Sequence, residues 1–426
     1  MFDLAEKRDS ERGRALLISA YQHQSEEDYH QEMLEELDEL VCTCGAEVVG
    51  RMAIRVRGNH PRLLVGKGKA EEVVNHSREL GADVLIFDES LSPAQQRNWE
   101  RLAGIRIMDR QEVILTIFGN RASTKEAELQ IELAQAAYML PRMKNLWTHL
   151  DRQRGVVGLR GGEGEKQIEI DNRLLRRRIA QLKRELKKVQ KQRAQQRKRR
   201  QTVPIPNAAI VGYTNAGKSL LLNQLTNADV LVEDKLFATL DPTTRRIELE
   251  NQQVMLVTDT VGFVRNLPHD LVEAFKATLE EAVLANFLIH VVDINNSSLL
   301  DHMETTMDVL KEIGAGGQEV IVAFNKIDIA EAHLVRRMRH EFPDAMFISA
   351  KTGDGIEDLI ARVTEIIDEY MGSVRLLLPM DRFDLLAMLH RIGNVLEEVY
   401  EEDGIHLKAT IPLKSRHELE KYIIAD

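Results

Sequence analysis

The sequence predicts an α/β protein with a small N-terminal α/β domain, an antiparallel helical hairpin (coiled coil), a larger α/β domain with a mainly parallel sheet, and a small C-terminal α/β unit. Three observations support this class. Short apolar stretches alternate with helical stretches in two parts of the chain, two heptad seams flank a glycine-rich segment, and two prolines mark a linker at 201–207. The 426 residues suffice for about three domains at roughly 150 residues each. We divide the chain into 1–112, 113–203, 204–371 and 372–426.

The N-terminal part alternates between two kinds of pattern. Stretches rich in branched apolar residues predict buried strands at 14–21, 47–56, 83–88 and 105–109. Helical patterns lie between them at 25–40, 69–80 and 92–102, and Gly45 and Gly81 follow two of these as C-caps. Alternation of this kind favours a small domain with a mainly parallel sheet.

The next part has the period of a coiled coil. Apolar residues recur at heptad spacing in two runs, the first being Leu129, Leu133, Ala136, Leu140, Met143, Trp147 and Leu150, the second Leu175, Ile179, Leu182, Leu186 and Val189. Between the runs, residues 152–166 contain five glycines, which a helix interior disfavours. We therefore predict two antiparallel helices joined by a glycine-rich tip, with a kink at Pro141.

The charge is unevenly distributed along the chain. The net charge is −11, yet residues 121–203 hold 22 Lys and Arg against 9 Asp and Glu. Residues 171–200, on the second predicted helix, hold 14 basic and only 2 acidic residues. Such a helix lacks acidic i,i+4 partners, so it predicts contact with RNA or another polyanion. A helix face that is merely solvated is the alternative.

Several classes of protein are excluded or disfavoured by composition. The sequence has no apolar run of the roughly 18 residues that a membrane span needs, and its charged beginning lacks a secretory h-region. Cys42 and Cys44 are the only cysteines, too few for a disulfide scaffold or a thiolate zinc site. We expect a cytoplasmic protein.

Strand and helix patterns alternate again from residue 208 to about 371. Beyond them we predict a strand at 373–380, a helix at 382–401 and a strand at 405–413. These last elements form the predicted C-terminal unit.

A phosphate-binding loop opens the larger α/β domain. The stretch 208–225 is a strand, a loop and a helix, and Gly212, Gly217, Lys218 and Ser219 complete G-x-x-x-x-G-K-S within it. The glycines let backbone N–H groups face phosphate oxygens at a helix N-terminus. Lys218 reaches the β- and γ-phosphates, and the Ser219 hydroxyl is a ligand for Mg²⁺.

Three further motifs follow in the order that a GTP-binding domain requires. Asp259 and Gly262 form D-x-x-G at the end of a strand, where Asp259 can hold Mg²⁺ and the Gly262 N–H can meet the γ-phosphate. Asn325, Lys326 and Asp328 form N-K-x-D, and the Asp328 carboxylate can accept two hydrogen bonds from guanine but not from adenine. The S-A-K loop beside the base is Ser349, Ala350 and Lys351. The sequence therefore predicts a P-loop GTPase domain.

Two residues bear on the hydrolysis chemistry. Phe263 follows Gly262 where small signalling GTPases place a glutamine that orients water, and Phe cannot form that hydrogen bond. Asn215 lies inside the phosphate loop. A switch I threonine is expected between the loop and D-x-x-G, and Thr239, Thr243 and Thr244 are candidates on sequence alone.

The chain resembles the HflX family of ribosome-associated GTPases, which is related to the Obg group. The resemblance rests on G-Y-T-N-A-G-K-S, F-A-T-L-D-P-T-T and D-T-V-G-F in the GTPase domain, and upstream on 91–100, 109–142 and 158–171. It covers about residues 14 to 370. The tip departs from the expected R-G-P-G-E-T, because residues 160–166 lack the proline and are one residue longer.

The resemblance implies GTP and GDP as ligands, Mg²⁺ as cofactor and Thr239 as the switch I threonine. It also suggests a K⁺ site beside Asn215; the alternative is that the Asn215 side chain only hydrogen-bonds within the loop. It implies Lys218, Thr239 and Gly262 as catalytic residues and Ser219, Thr239 and Asp259 as metal ligands. The nucleotide-binding set is Gly212, Tyr213, Thr214, Asn215, Ala216, Gly217, Lys218, Ser219, Phe237, Thr239, Asp259, Gly262, Asn325, Lys326, Asp328, Ser349, Ala350 and Lys351.

The resemblance also implies partners. These are the large ribosomal subunit and its RNA, with GTP-dependent splitting of stalled ribosomes; we expect a monomer and no DNA partner. Two alternatives stay open: a GTPase in ribosome assembly or on another RNA, and an RNA-binding protein whose GTPase domain is a static scaffold.

Overall fold

A computed structural model describes residues 13–58, 60–153, 163–201, 205–226, 236–237, 239–249, 253–265, 279–413 and 416–424. The chain forms two compact units. Unit 1 comprises residues 1–188, 235–238 and 267–275, and unit 2 comprises 189–234, 239–266 and 276–426. The mixed architecture confirms the predicted α/β class. The division into four domains stays a prediction.

Unit 1 begins with a four-stranded sheet whose pairings are all parallel. Its strands are β1 (Arg14–Tyr21), β2 (Glu47–Arg55), β3 (Val84–Phe87) and β4 (Arg106–Asp109), in the order β2-β1-β3-β4. The connecting helices are α1 (Glu27–Thr43), α2 (Lys67–Glu79) and α3 (Pro93–Ala103). These bounds lie within about three residues of those expected from the apolar patterns. Gly45 and Gly81 adopt the left-handed conformation of a C-cap, with φ of +85° and +61°.

Buried ion pairs lie where this sheet meets the helices that follow. The next helix, α4, runs over Arg110–Arg121. The Arg110 side chain is buried, donates to Asp88 Oδ1 at 2.6 Å, and pairs with Glu36. Arg142 donates to Asp109 Oδ2 at 3.3 Å, and that carboxylate is fully buried. Removing one partner of such a pair leaves an uncompensated buried charge, so these contacts hold α4 and the helix that follows it at the carboxyl ends of β3 and β4.

Two long helices, α5 (Lys125–Gln153) and α6 (Glu163–Gln201), form the predicted hairpin, and α5 continues through Pro141. The Arg178 guanidinium donates to both carboxylate oxygens of Glu132, at 2.7 and 2.8 Å, which joins the two helices. The predicted loop was too long: α6 begins at Glu163 and includes Gly164, because glycine is tolerated in a first turn. Residues 154–162, most of the predicted tip, lie outside the described residues.

Unit 2 contains a six-stranded sheet in the order β10-β9-β8-β5-β7-β6. Its strands are β5 (Asn207–Gly212), β6 (Thr243–Glu248), β7 (Val254–Asp259), β8 (Phe287–Asp293), β9 (Glu319–Asn325) and β10 (Met346–Phe347). Only β6 and β7 pair antiparallel. The helices that cover it are α7 (Lys218–Thr226), α8 (residues 279–284), α9 (Leu299–Glu312), α10 (Ala332–Glu341) and α11 (Ile356–Tyr370). The carboxyl ends of β5, β7 and β9 meet at one edge, where ligands bind in such sheets.

The chain ends in a three-stranded antiparallel sheet in the order β11-β13-β12. Its elements are β11 (Met371–Leu378), α12 (Phe383–Ile392), β12 (Asn394–Glu401), β13 (Gly404–Pro412) and the short helix α13 (Arg416–Leu419). The predicted helix over 382–401 is therefore wrong in its second half. The chain turns at Gly393, where a Cβ atom would lie 2.5 Å from the Thr410 carbonyl oxygen, and pairing with β13 then imposes an extended strand.

Every helix among the described residues is too short or too polar to cross a membrane.

His290 is a buried histidine in the middle of unit 2. It lies on β8 opposite Val211 of β5, and its Nδ1 atom has no hydrogen-bond partner among the described residues. Burial, with a smaller contribution from the Lys218 ammonium, lowers the pKa of His290 to about 4. The folded protein therefore keeps this ring neutral at pH values where the unfolded chain protonates it.

This difference predicts an acid-sensitive contribution to stability. Because the unfolded state binds the extra proton, stability is lost as the pH falls from about 6.5 towards 4. Between pH 7.5 and 5, His290→Gln should lose about 2 kcal/mol less than the wild type does, measured by chemical denaturation at both values. The exposed His340→Gln is the matched control and should follow the wild type. An equal loss in His290→Gln and the wild type would contradict the assignment.

Candidate nucleotide-binding site

The phosphate loop leaves no room for side chains at its two glycines. Gly212 has a φ of +146°, and a Cβ atom there would lie 2.2 Å from the Val291 carbonyl oxygen. Gly217 has a φ of +93°, and its Cβ atom would lie 2.2 Å from Asn325 Nδ2. Glycine alone combines these conformations with such close neighbours. The loop is thereby packed directly against β8 and the N-K-x-D segment.

Lys218 begins α7 with its side chain buried beneath the loop. Its ammonium donates to the Tyr213 carbonyl oxygen at 2.6 Å. Burial lowers the pKa of Lys218 to about 8, opposed by the nearby Asp259 carboxylate. Asn215 is exposed at the loop and holds a left-handed backbone with a φ of +60°. The loop therefore places a desolvated cation within and an amide at its surface.

The three predicted metal ligands lie together. The Ser219 hydroxyl oxygen lies 2.6 Å from Thr239 Oγ1 and donates to Asp259 Oδ2, also at 2.6 Å. Asp259 Oδ1 is buried without a hydrogen-bond partner among the described residues, and burial raises the pKa of this carboxyl group. Two hydroxyls and a carboxylate with an unused oxygen are the hard donors that Mg²⁺ prefers, so these residues fit that ion.

The structure distinguishes between the three candidate threonines. Thr243 and Thr244 belong to β6, where they pair with Asp259 and Thr258, and the Thr244 hydroxyl contacts that of Thr258 at 2.9 Å. Thr239 precedes this strand and is the one beside Ser219. Phe237, in contrast, is buried in unit 1 with its ring 4.6 Å from that of Phe118. Its role at the nucleotide stays a prediction.

The D-x-x-G segment runs alongside the phosphate loop. Phe263 N–H donates to the Gly212 carbonyl oxygen at 3.1 Å, and the Thr214 N–H donates to the Phe263 carbonyl oxygen at 2.8 Å. The Phe263 side chain is 1% exposed. The ring that replaces the usual glutamine is therefore part of the core and cannot contact an attacking water.

The base-binding motifs interlock through Asn325. Its side-chain amide donates to the Ala216 carbonyl oxygen at 2.8 Å and accepts from the Ala350 N–H at 2.9 Å. Asp328 Oδ1 accepts from the Ser349 hydroxyl at 2.8 Å. The motifs predicted from separate parts of the sequence thus form one network, with the exposed Lys351 next to it.

Two contributors were missed by the sequence motifs. Asp293, at the end of β8, pairs with the Lys326 ammonium at 2.8 Å, and its place at a strand end could have been noticed. His302 of α9 stacks on Tyr213 with ring centroids 3.6 Å apart. Nothing in the sequence around His302 predicts this contact, which depends on how α9 packs.

Family comparisons cover most of the chain. The profile described as "GTP-binding GTPase N-terminal" matches residues 31–119, and "GTP-binding GTPase Middle Region" matches 121–200. The profile described as "50S ribosome-binding GTPase" matches residues 207–326.

Two relatives that match nearly the whole chain are named "GTPase HflX". "GTPase HflX" of Akkermansia muciniphila is 47% identical over 99% of both chains, and "GTPase HflX" of Escherichia coli K12 is 42% identical over 94% of both. Among solved structures, a GTP-binding protein of Sulfolobus solfataricus in complex with GDP is 25% identical, over 84% of this chain and 99% of that one, with a TM-score of 0.43.

The Asp328 carboxylate provides a test of base selection. Asp328→Asn replaces a double acceptor by an amide, which suits xanthine and mismatches guanine. GDP affinity should fall by about 100-fold, or ~3 kcal/mol, while XDP affinity rises. Titration calorimetry with both nucleotides measures this. Asp344→Asn, an exposed carboxyl group in the same unit, is the control. Unchanged GDP affinity in Asp328→Asn would show that the base is recognised elsewhere.

Proposed function

Because this chain belongs to the HflX family of GTPases, binding guanine nucleotide and hydrolysing GTP, we propose that it acts as a nucleotide-dependent switch on the large ribosomal subunit and splits stalled ribosomes. The observation that carries the proposal is the basic surface of α6. This surface consists of eight exposed cationic side chains, Arg173, Arg176, Arg177, Lys183, Arg184, Lys187, Lys188 and Lys191.

Most cations on the described part of α6 are exposed. Between residues 171 and 192 the only acidic residues are Asp171 and Glu185, and Arg178 is the cation that pairs with α5. The apolar seam of the same helix is turned inward, since Leu182 is fully buried. A helix with one packed face and one cationic face suits a phosphate backbone, and ribosomal RNA presents such a backbone.

The nucleotide site supports a switch rather than a static scaffold. Ser219, Thr239 and Asp259 would hold Mg²⁺, which supplies charge neutralisation on the phosphates when bound. Lys218 would donate to the β- and γ-phosphates, and the Gly262 N–H to the γ-phosphate. Thr239 precedes β6 and lies outside the helices and strands of the described residues. Its place in the cluster would therefore depend on the nucleotide.

Hydrolysis needs a group other than the usual glutamine to stabilise the transition state. We propose K⁺ beside Asn215, whose exposed amide lies on the phosphate loop and whose oxygen suits a monovalent cation. Phe263 is buried and supplies no polar atom, so neutralising charge has to come from elsewhere. The ribosome is the alternative source.

The ribosome proposal predicts a charge-dependent complex. Reversing Arg176, Arg177, Lys183 and Arg184 to Glu should weaken cosedimentation with large subunits at least tenfold in the presence of a GTP analogue. With about six phosphate contacts, the wild-type log K should fall with log salt with a slope of about −4 to −5. GDP affinity should not change, because none of these residues lies at the nucleotide site.

A matched control reverses four exposed cations of unit 2, namely Lys311, Arg336, Arg337 and Lys421, and should sediment like the wild type. Cosedimentation with intact ribosomes, large subunits, assembly intermediates and free RNA, each with a GTP analogue and with GDP, separates the alternatives. The splitting role predicts that intact ribosomes are lost in the presence of a GTP analogue and not in the presence of GDP. Binding to assembly intermediates or free RNA alone would favour the assembly role, and binding that ignores the nucleotide would favour the scaffold.

The cation proposal predicts a salt-specific rate. GTP turnover without ribosomes should be at least tenfold faster in K⁺ than in Na⁺ at equal ionic strength, or ~1.4 kcal/mol of barrier. The difference should disappear in Asn215→Ala, whose Mg²⁺-dependent GDP affinity serves as the folding control. Equal wild-type rates in the two salts would leave the ribosome as the source of the missing charge.

A further inference from the structure

Tyr213, the second residue of the phosphate loop, links three segments of unit 2. Its hydroxyl accepts a hydrogen bond from the Arg265 N–H at 2.6 Å. Its ring lies parallel to that of His302, with centroids 3.6 Å apart and planes inclined by 8°. Its carbonyl oxygen accepts from Lys218. One side chain thus joins the loop to the D-x-x-G segment and to α9.

The contact with Arg265 extends a backbone link described above. Phe263 already forms a parallel bridge with Tyr213, using its N–H and carbonyl on Gly212 and Thr214. The Tyr213 hydroxyl holds the chain two residues further on, where Arg265 is 5% exposed and its guanidinium reaches Asp301 at 3.2 Å. Residues 263–265 are therefore held at both ends, and Gly262 directly precedes them.

Little space separates this segment from the loop. A Cβ atom at Gly262 would lie 2.8 Å from the Thr214 Cα atom and 2.9 Å from the Lys218 ammonium. The Gly262 N–H is therefore carried on backbone already in contact with the phosphate cradle. A shift of about 1 Å in a positioned group can cost about 100-fold in rate, so what holds residue 262 matters to the reaction.

We propose that Tyr213 is a positioning residue for GTP hydrolysis. Through Arg265 and His302 it holds residues 262–265 against the phosphate loop, so that the Gly262 N–H is aimed at the γ-phosphate before the transition state forms. Phe263 offers no side-chain hydrogen bond to the water, so the rate depends more heavily on backbone donors held in place. The competing explanation is that Tyr213 only packs the loop. In that case its loss weakens nucleotide binding as much as turnover.

Removing one oxygen atom separates the two explanations. Tyr213→Phe keeps the ring and the stack on His302 but loses the hydrogen bond to Arg265. Single-turnover hydrolysis and kcat should fall about tenfold, while KM for GTP and Kd for GDP change less than twofold. Tyr370→Phe is the matched control. It removes a hydroxyl of the same unit that donates to the Asn286 carbonyl oxygen at 3.4 Å and contacts none of the predicted nucleotide-binding residues, so this variant should hydrolyse GTP at the wild-type rate.

The stack gives a second, independent measurement. His302→Ala should lower kcat, as Tyr213→Phe does. His302→Phe restores a ring that can stack on Tyr213 and should recover most of the lost rate. Wild-type kcat in Tyr213→Phe would overturn the proposal, as would GDP affinity that falls in proportion to kcat. If Tyr213→Phe does not fold, the comparison of His302→Ala with His302→Phe takes its place. Equal kcat in these two variants refutes the positioning role.

Discussion

Close approach of the glycine backbone to neighbouring segments is the constraint on which the nucleotide site depends. At Gly212, Gly217 and Gly262 the nearest atoms of other segments occupy the space that a side chain would need. The phosphate loop can consequently contact β8, Asn325 and the D-x-x-G segment at once. Side-chain hydrogen bonds then join parts of the chain about 100 residues apart, as Asn325 does with Ala216. The residues proposed to act on the nucleotide are positioned by this packing and not by local loop structure alone.

In unit 1, buried ion pairs play a similar part and hold α4 and α5 against the first sheet. Arg110 and Arg142 are held by carboxylates that have little or no contact with solvent, among them Asp88 and Asp109. The eight cations named above on the described part of α6 are exposed to solvent instead. The same residue type thus fixes structure where it is desolvated and remains available for a polyanion where it is exposed.

Both parallel sheets and the four nucleotide motifs could be predicted because their signals are local. A buried strand needs a short apolar run, and a phosphate loop needs glycines at fixed spacing. Local signals failed to predict the secondary structure where pairing with a distant part of the backbone determines it. Residues 394–401 have helical periodicity, but the strand 404–412 pairs with them and Gly393 admits the turn. Motif spacing alone left Thr239, Thr243 and Thr244 open, and Thr239 was chosen by the family resemblance; the pairing of β6 with β7 then places the other two in a strand. The contact of His302 has no signal in the sequence.

The pairing of β6 with β7 would also limit how far the proposed switch could open. Thr243 lies opposite Asp259 in the antiparallel ladder, and Thr239 precedes it by four residues. A chain of four residues spans at most about 14 Å, so Thr239 remains in the neighbourhood of its partners while β6 stays paired. The entropy of closing so short a tether is small. The proposed switch would then move as a short hinge of a few residues, without the folding of a long loop.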